Sequence, residues 1–160
     1  MPHSPEPMPD TAVRVVDVYP YRERSVNPEF LLLHRASDTI HAGQWRMVGG
    51  KIEDGEAAWE TARREVEEET GHTPTRFWTL PSVNAFYEWQ EDRVNLAPAF
   101  AVALPGDPVL DDEHDDFGWW PAQEAARRLA WPEQQRLLRV ADQLLRDSIP
   151  PRLIVEPDAG

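Results

Sequence analysis

The chain contains no cysteine among its 160 residues. This absence excludes disulfides, thiolate nucleophiles, cysteine-ligated zinc and iron–sulfur clusters. The sequence also lacks any apolar run near the roughly 18 to 20 residues that span a bilayer, so no membrane segment is expected. Residues 1–10 are proline-rich and acidic and do not have the basic-then-apolar pattern of a secretion signal. We therefore expect a cytoplasmic protein.

Basic residues are scarce as well. The chain has 16 Lys and Arg against 29 Asp and Glu, which gives a formal net charge of −13. Such a charge repels nucleic acids, because proteins bind their backbones by neutralising phosphates with Lys and Arg. We expect no nucleic-acid partner. A small phosphorylated substrate is still compatible with this charge, provided that divalent cations lie between the carboxylates and the phosphate oxygens.

The length and composition indicate one folded domain. A chain of 160 residues with 41% hydrophobic residues lies within the range of single globular domains. We expect a flexible N-terminal segment over residues 1–10 and the domain itself over residues 11–148. The proline-containing tail over residues 149–160 is expected to be loosely ordered.

Apolar patterning predicts a series of strands with one helix inside the series and one helix at its end. The predicted strands cover residues 12–19, 30–33, 44–48, 77–89, 94–104 and 117–120. The predicted helices cover residues 57–70, closed by Gly71, and residues 132–146. This order indicates an α/β (α+β) fold, a sandwich of helices around a central mixed sheet.

The first helix carries three glutamates on one face. At about 100° per residue, Glu65, Glu68 and Glu69 share an arc, and Glu69 lies within the apolar seam of Ala62 and Val66. Like charges at this spacing repel one another, and burying one of them adds a desolvation cost. Several oxygen ligands on one face suit Mg²⁺ or Mn²⁺. The spacing leaves two interpretations open, a metal site and a solvated acidic face.

The segment from residue 50 to residue 72 resembles the signature of the Nudix hydrolases, G-x5-E-x7-R-E-U-x-E-E-x-G-U, in which U is aliphatic. The last position is occupied by His72, which departs from the pattern and affects local packing. The predicted strand order also resembles the family. The matching residues are Gly50, Glu56, Arg64, Glu65, Val66, Glu68, Glu69 and Gly71.

This resemblance implies a Nudix-type α/β/α sandwich that hydrolyses phosphoanhydride bonds with Mg²⁺ or Mn²⁺. By position, Glu65, Glu68 and Glu69 would be metal ligands, and Glu65 or a downstream acid would be the base. Arg64 would orient a glutamate by a charge-assisted hydrogen bond. Three further positions would be structural, with Glu56 at the loop–helix junction and Gly50 and Gly71 in the backbone.

Glu113 is the downstream acid considered for catalysis. It precedes His114 and the predicted strand at residues 117–120. It is either a surface acid or a further metal ligand and general base that reaches the site from across the sheet. The acid–histidine pair is similar to one in bacterial dihydroneopterin triphosphate pyrophosphohydrolases.

Three residues outside the signature are candidates for substrate binding. Arg35 ends a predicted strand, and its planar guanidinium suits phosphate oxygens, although a surface salt bridge explains it equally well. Trp45 and Tyr87 could stack on a purine or pterin ring, whereas aromatic residues more often pack in the core. The position of Tyr87 is similar to that of a tyrosine in dinucleoside polyphosphate hydrolases of the family.

The main functional hypothesis is hydrolysis of a nucleoside di- or triphosphate-type substrate, either an NTP to NMP and pyrophosphate or a dihydroneopterin triphosphate-like compound. The alternatives are a dinucleoside polyphosphate or ADP-ribose hydrolase, and a Nudix domain that senses a nucleotide without cleaving it. Sensing domains often lose the signature glutamates, and this chain retains them. An isopentenyl-diphosphate isomerase of the same fold would need a cysteine. The expected partner is a small nucleotide-like substrate, and a homodimer is left open.

Overall fold

The computed structural model describes residues 7–157, so the start of the predicted flexible segment, residues 1–6, lies outside the described residues. Eight strands, three α-helices and a 3-10 turn follow one another along the described part of the chain. The strands are β1 (Asp10–Ala12), β2 (Val15–Arg22), β3 (Glu29–Arg35), β4 (Trp45–Arg46), β5 (Val48–Lys51), β6 (Arg76–Glu88), β7 (Arg93–Ala103) and β8 (His114–Pro121). The helices are α1 (Ala58–Thr70), α2 (Ala122–Arg128) and α3 (Pro132–Asp147), and the 3-10 turn covers Pro151–Leu153.

The strands form one mixed sheet, as predicted. β2 and β7 lie side by side and parallel, in register from Asp17 opposite Ala99 to Tyr21 opposite Ala103. β6 runs antiparallel to β7, and β8 runs antiparallel to β3. β5 pairs antiparallel with β2, with Gly50 opposite Val16. The last pairing places the glycine-rich end of β5 beside the middle of the sheet.

The two faces of the sheet bury separate apolar clusters, because side chains along a strand alternate between its faces. On β2, Val16 and Val18 pack with Ala62 and Val66 of α1. The cluster on the opposite face, beneath α2 and α3, includes Tyr19 and Tyr21 together with Leu137 and Leu138. This arrangement confirms the predicted α/β/α sandwich.

Helix α1 starts and ends close to the predicted positions. At its start the Glu60 side chain accepts a hydrogen bond of 2.9 Å from the backbone N–H of Ala57. At its end Gly71 has a φ of 73°, in the left-handed region that favours glycine, and its N–H donates to the Glu67 carbonyl at 2.9 Å. A Cβ at Gly71 would also lie 3.2 Å from Val109. Both observations make glycine the suitable residue at this end of the helix.

The strand predicted over residues 44–48 and the segment that follows β8 differ from the structure. The single strand expected over residues 44–48 is two short strands, since β4 pairs with β3 whereas β5 pairs with β2, and Met47 lies between them. The sequence analysis did not predict α2, because its seven residues are too few to establish a helical period. Among residues 7–157, no helix has both the length and the apolar character needed to cross a membrane.

The tail is held against the sheet over part of its length, which differs from the loosely ordered tail expected over residues 149–160. Ile149 is buried in the cluster beneath α2 and α3. Ile154 forms a β-bridge with Trp78, and the N–H of Val155 donates to the Phe77 carbonyl at 2.9 Å. These contacts cover the free edge at the start of β6, and the tail's prolines fit the 3-10 turn. Residues 158–160 lie outside the described residues.

Candidate functional site

A cavity of about 500 Å³ lies where β5 leads towards α1. It brings the glutamate face of α1 together with β2, β5, the end of β3 and the start of β8. The charged residues around it are Asp17, Arg35, Arg46, Lys51, Glu65, Glu68, Glu69 and Glu113, with His41 and His114 beside them. Six elements (β2, β3, β4, β5, α1 and β8) therefore contribute titratable side chains to one cavity.

Glu69 and Glu65 are the most enclosed carboxylates of this cavity. Glu69 is only 6% exposed, and its Oε2 accepts a hydrogen bond of 3.2 Å from the backbone N–H of Gly49. Burial raises the pKa of Glu69 well above its ordinary value, and the charge of Glu65 raises it further. Burial also raises the pKa of Glu65, against the opposing effect of Arg64. Burial therefore disfavours the ionised form of both carboxylates, and the positive charge around them is too small to offset this effect.

Gly50 creates the space that the Glu65 carboxylate occupies. A Cβ added at Gly50 would collide with the carboxylate and the Cγ of Glu65. Because that neighbour is the functional end of a side chain, any larger residue would displace the carboxylate from the cavity. The glycine is thus required by a close approach between β5 and α1.

Arg64 joins the loop before α1 to the glutamate face. Its Nε and Nη2 donate to the two carboxylate oxygens of Glu56 at 2.7 and 2.9 Å, and its Nη1 donates to Glu65 Oε1 at 2.9 Å. The Arg64 guanidinium lowers the pKa of Glu56 to about 2. Glu56 also accepts hydrogen bonds from the N–H of Glu53 and the hydroxyl of Thr61. This bidentate pair fixes Arg64, which in turn orients Glu65.

Glu68 and Glu113 lie at the open side of the cavity. Their side chains are 57% and 60% exposed, and each contacts one arginine. Arg64 Nη1 lies 3.4 Å from Glu68 Oε2, and Arg35 Nη1 donates to Glu113 Oε2 at 3.1 Å. Over residues 7–157, no three acidic, histidine or cysteine side chains already converge on one point at metal-ligand spacing. In this arrangement the described carboxylates do not form a metal-ligand set.

His114 is a site residue that the sequence analysis noted beside Glu113 without assigning it a role. Its side chain is 1% exposed, with Nδ1 at 2.6 Å from Asp111 Oδ1. Its Nε2 lies 3.5 Å from Glu69 Oε1 and 3.4 Å from Arg35 Nη1. Because Asp111 accepts at Nδ1, the proton is assigned to Nδ1 and Nε2 is left to accept. His114 thereby lies between the buried carboxylate of α1 and the arginine of β3, and its Nε2 can accept a hydrogen bond from Arg35 Nη1.

Three further cations, Arg35, Arg46 and Lys51, face the cavity. Arg35 is buried, and its Nε donates to the Ile40 carbonyl at 3.0 Å. Arg46 lies on β4 and makes no ion pair with any residue that the structure describes; its one side-chain hydrogen bond, at 3.5 Å, goes to Gln44. Lys51 lines the same cavity. The sequence offered no signal for Arg46, since only the pairing of β4 with β3 brings it to the site.

A second cavity of about 410 Å³ adjoins the first. The two share Val15, Asp17, His41 and Arg46 as lining residues. The second cavity continues between β6 and the start of α3, where it is lined by Asn84, Phe86, Glu88, Trp131, Glu133 and Gln134. The site is therefore elongated, with carboxylates and cations at one end and aromatic side chains at the other.

The structure brings neither Trp45 nor Tyr87 to these cavities. Trp45 packs edge-on against Trp120, with ring centroids 5.1 Å apart, because the alternation along β4 turns Arg46 rather than Trp45 towards the site. Tyr87 is 58% exposed, and its hydroxyl donates to Asp92 in the β6–β7 turn at 2.7 Å. Its neighbour Phe86 lines the second cavity instead.

Comparisons with known proteins identify the family of this chain. A family model described as the NUDIX domain matches residues 8–141. The chain is 32% identical over 104 residues to the mutator protein MutT4 of Mycobacterium tuberculosis, covering 63% of this chain and 42% of that protein. It is 29% identical over 111 residues to the nucleoside triphosphatase NudI of Salmonella agona, covering 62% of this chain and 79% of NudI. The chain thus spans less than half the length of MutT4.

A solved structure of a NUDIX hydrolase has a similar fold. The crystal structure of a NUDIX hydrolase from Listeria monocytogenes superposes with a TM-score of 0.71 at 26% identity, covering 83% of this chain and 94% of that one. The family match extends from residue 8 to residue 141 and so takes in the whole sheet, α1 and most of α3. This chain belongs to the NUDIX domain family.

Proposed function

We propose that this chain is a divalent-cation-dependent hydrolase that cleaves a phosphoanhydride bond of a nucleoside triphosphate-type substrate, releasing the monophosphate and pyrophosphate. The observation that carries the proposal is the buried carboxylate of Glu69 beside the partly buried carboxylate of Glu65, facing a cavity whose other walls carry Arg35, Arg46 and Lys51. Carboxylates and cations that face one cavity can hold a metal ion and phosphate groups together. The name of the relative NudI, a nucleoside triphosphatase, supports the same substrate class.

The residues at the site fit a hard divalent cation. Glu65 and Glu69 are enclosed, carry raised pKa values and lack a cation sufficient to balance both charges. Glu68 and Glu113 are exposed enough to complete an oxygen ligand set. Carboxylate oxygens without thiolates favour Mg²⁺ or Mn²⁺ over softer metals. When bound there, such a cation would polarise phosphoryl oxygens and lower the pKa of a coordinated water.

The chain's own residues supply binding, orientation and proton transfer. Arg35, Arg46 and Lys51 bind the phosphate oxygens. Arg64, fixed by Glu56, positions Glu65, and the backbone N–H of Gly49 positions Glu69. Glu65 or Glu113 accepts the proton of the attacking water as the bond to the pyrophosphate leaving group breaks. Glu113 is suited to this role because it is exposed and can turn towards the substrate.

The shape of the site favours a substrate with one heterocycle. The second cavity is about 410 Å³ and adjoins the carboxylate end directly, so one ring and its phosphates account for both cavities. A dinucleoside polyphosphate or ADP-ribose would place a second nucleoside beyond them. The retained glutamates favour cleavage over sensing. A dihydroneopterin triphosphate-like substrate has the same outline as a nucleoside triphosphate and is the second candidate.

Hydrolysis of nucleoside triphosphates, followed as phosphate release with added pyrophosphatase, tests the proposal. Glu68→Gln is the test variant, and Glu67→Gln is its matched control, since Glu67 is exposed on the other side of α1 and its one side-chain partner is the hydroxyl of Thr73. We expect turnover only with Mg²⁺ or Mn²⁺, a loss of about 100-fold in Glu68→Gln and near wild-type turnover in Glu67→Gln. Equal turnover by both variants, or turnover in EDTA, would contradict it.

A further inference from the structure

A buried carboxylate lies where the two cavities meet. Asp17, on β2, is 5% exposed and lines both cavities. Its Oδ2 accepts hydrogen bonds from Asn84 Nδ2 at 2.9 Å and from Gln134 Nε2 at 3.4 Å. Its Oδ1 accepts no hydrogen bond from any of residues 7–157, and lies 3.8 Å from the position that a Cβ on Gly49 would occupy. Oδ2 thus accepts two hydrogen bonds, one of them long, and Oδ1 accepts none from the described residues.

A role in folding accounts for only part of this arrangement. The two amide hydrogen bonds connect β2 to β6 and to α3, and they account for an acceptor oxygen at the position of Oδ2. They do not explain a carboxylate, because burial raises the pKa of Asp17 and so disfavours its charge. No arginine, lysine or histidine among the described residues makes an ion pair with it, although Arg46 lies close enough to favour the charge. Further N–H donors from a ligand would stabilise the ionised form.

The surrounding walls suit a planar ring. Phe86 and Trp131 line the second cavity and are 43% and 58% exposed, so their faces are open to a ligand. Aromatic faces bind heterocycles by stacking without reading their identity. Identity would have to be read at the polar end of the cavity, where Asp17 and the amides of Asn84 and Gln134 lie.

We propose that Asp17 is a specificity-determining residue that selects a heterocycle presenting a ring N–H beside an exocyclic amino group. This is the 2-amino-4-oxopyrimidine edge, which guanine and pterins share. Two adjacent N–H donors match a carboxylate: Oδ1 accepts one of them, and Oδ2 accepts the other in place of the long 3.4 Å hydrogen bond from Gln134. The Asn84 amide keeps a second N–H for the ring carbonyl of the same edge. Adenine would instead turn a ring-nitrogen lone pair towards the carboxylate. The inference rests on the proposed function for placing the phosphates at the other cavity.

Equilibrium binding of GMP, IMP and AMP, measured by calorimetry, tests the inference without catalysis. IMP differs from GMP only in lacking the amino group. We expect wild-type protein to bind GMP roughly 10-fold to 100-fold more tightly than IMP or AMP, because the missing donor leaves a buried acceptor unpaired. Equal affinities for the three nucleotides would overturn the inference, and this comparison needs no variant.

Asp17→Asn tests the residue itself. Asn replaces one acceptor oxygen by a donor at the same size, so we expect the preference for GMP over IMP to fall at least about tenfold. Asp147→Asn is the matched control, because Asp147 is exposed at the far end of α3, about 20 Å along the helix from Gln134. If Asp17→Asn is folded by circular dichroism and keeps the full preference, Asp17 is a structural residue and the inference fails.

Hydrolysis rates then distinguish the two classes of compound that carry this edge, guanine nucleotides and pterins. Comparing dGTP, dihydroneopterin triphosphate and dATP, we expect one of the first two to give a kcat/KM at least about tenfold above that of dATP. A preferred dGTP identifies a guanine nucleotide, and a preferred dihydroneopterin triphosphate identifies a pterin. If dATP equals both, the inference is overturned while the proposed hydrolase stands. If GMP is preferred in binding but no triphosphate is hydrolysed, the hydrolase proposal fails, whereas recognition of the heterocycle by Asp17 is supported.

Discussion

Replacing Glu69 with glutamine is expected to stabilise the metal-free protein. Glutamine has nearly the same shape, and its carbonyl oxygen can still accept the N–H of Gly49 that now donates to Glu69 Oε2 at 3.2 Å. What it removes is a buried negative charge next to Glu65. Most substitutions at a residue that is 6% exposed destabilise a protein, so an increase in stability would be an unusual and specific result.

The expected gain follows from the cost of an uncompensated buried charge, about 1 to 3 kcal/mol. For a chain of this length that corresponds to an increase in Tm of roughly 2 to 12 °C. The gain should depend on pH, because the pKa of Glu69 is raised in the folded state. When the pKa of a carboxyl group is higher in the folded state than in the unfolded state, the free energy of unfolding of the protein decreases as the pH rises from the unfolded pKa to the folded pKa. The difference between variant and wild type should therefore be small near about pH 4 and grow towards neutral pH.

Differential scanning fluorimetry in EDTA, from acidic to neutral pH, measures this difference. A titration with Mg²⁺ or Mn²⁺ should then reverse the order, since the wild type gains about 2.7 kcal/mol at a cation concentration of 100 times its Kd and the variant gains much less. A variant that is less stable than wild type in EDTA at neutral pH would refute the reasoning that Glu69 is an uncompensated charge. A variant that gains as much from the cation would refute its role as a ligand.

Three more perturbations have defined outcomes. Gly50→Ala should reduce kcat by at least about tenfold by displacing the Glu65 carboxylate, whereas Gly106→Ala, which has no neighbour within 4 Å, should keep wild-type turnover; steady-state kinetics compares the two. Glu113→Gln should lower kcat with little change in KM if Glu113 acts on the attacking water, and an unchanged rate would make it a surface acid. Glu56→Gln should lower the Tm at neutral pH. Since the pKa of Glu56 is about 2 when folded, the deficit should be complete above its unfolded pKa and vanish as the pH falls towards about 2, which a pH series of melting curves measures.

The carboxylate face of α1 could be predicted from the sequence because its members are neighbours on one helix. The spacing of Glu65, Glu68 and Glu69 fixes their common face once a helix is assumed. In the same way, the apolar alternation along β2 predicts that this strand is buried. Those constraints are local. The ends of α1 followed from the same kind of information, with Gly71 closing the helix.

The residues that the sequence did not reveal come together through long-range pairing. Asp17 meets Asn84 from 67 residues away and Gln134 from 117 residues away. Arg46 reaches the site only because β4 pairs with β3. No spacing rule connects such positions. From the sequence alone, Asp17 could not be distinguished from a polar residue that interrupts the apolar pattern of a valine-rich strand.

The aromatic candidates illustrate the same limit. Trp45 was selected by residue type, and Tyr87 by residue type and by its similarity in position to a family tyrosine. Neither criterion determines which face of a strand a side chain occupies. Phe86 lines the second cavity because it lies two residues from Asn84 on the same face of β6, and Tyr87, between Phe86 and Glu88, lies on the other face. The order of the tail likewise depends on Trp78 and Phe77, which it contacts from far along the chain.

The central claim, that the glutamate face of α1 holds a divalent cation, is tested most directly by measuring free Mn²⁺ by electron paramagnetic resonance as protein is added. Wild-type protein and Glu67→Gln should bind Mn²⁺ with the same Kd. Glu69→Gln should bind it at least about tenfold more weakly, because it lacks one carboxylate of the ligand set. Equal Mn²⁺ binding by all three proteins, or no binding by the wild type at millimolar Mn²⁺, would contradict the account.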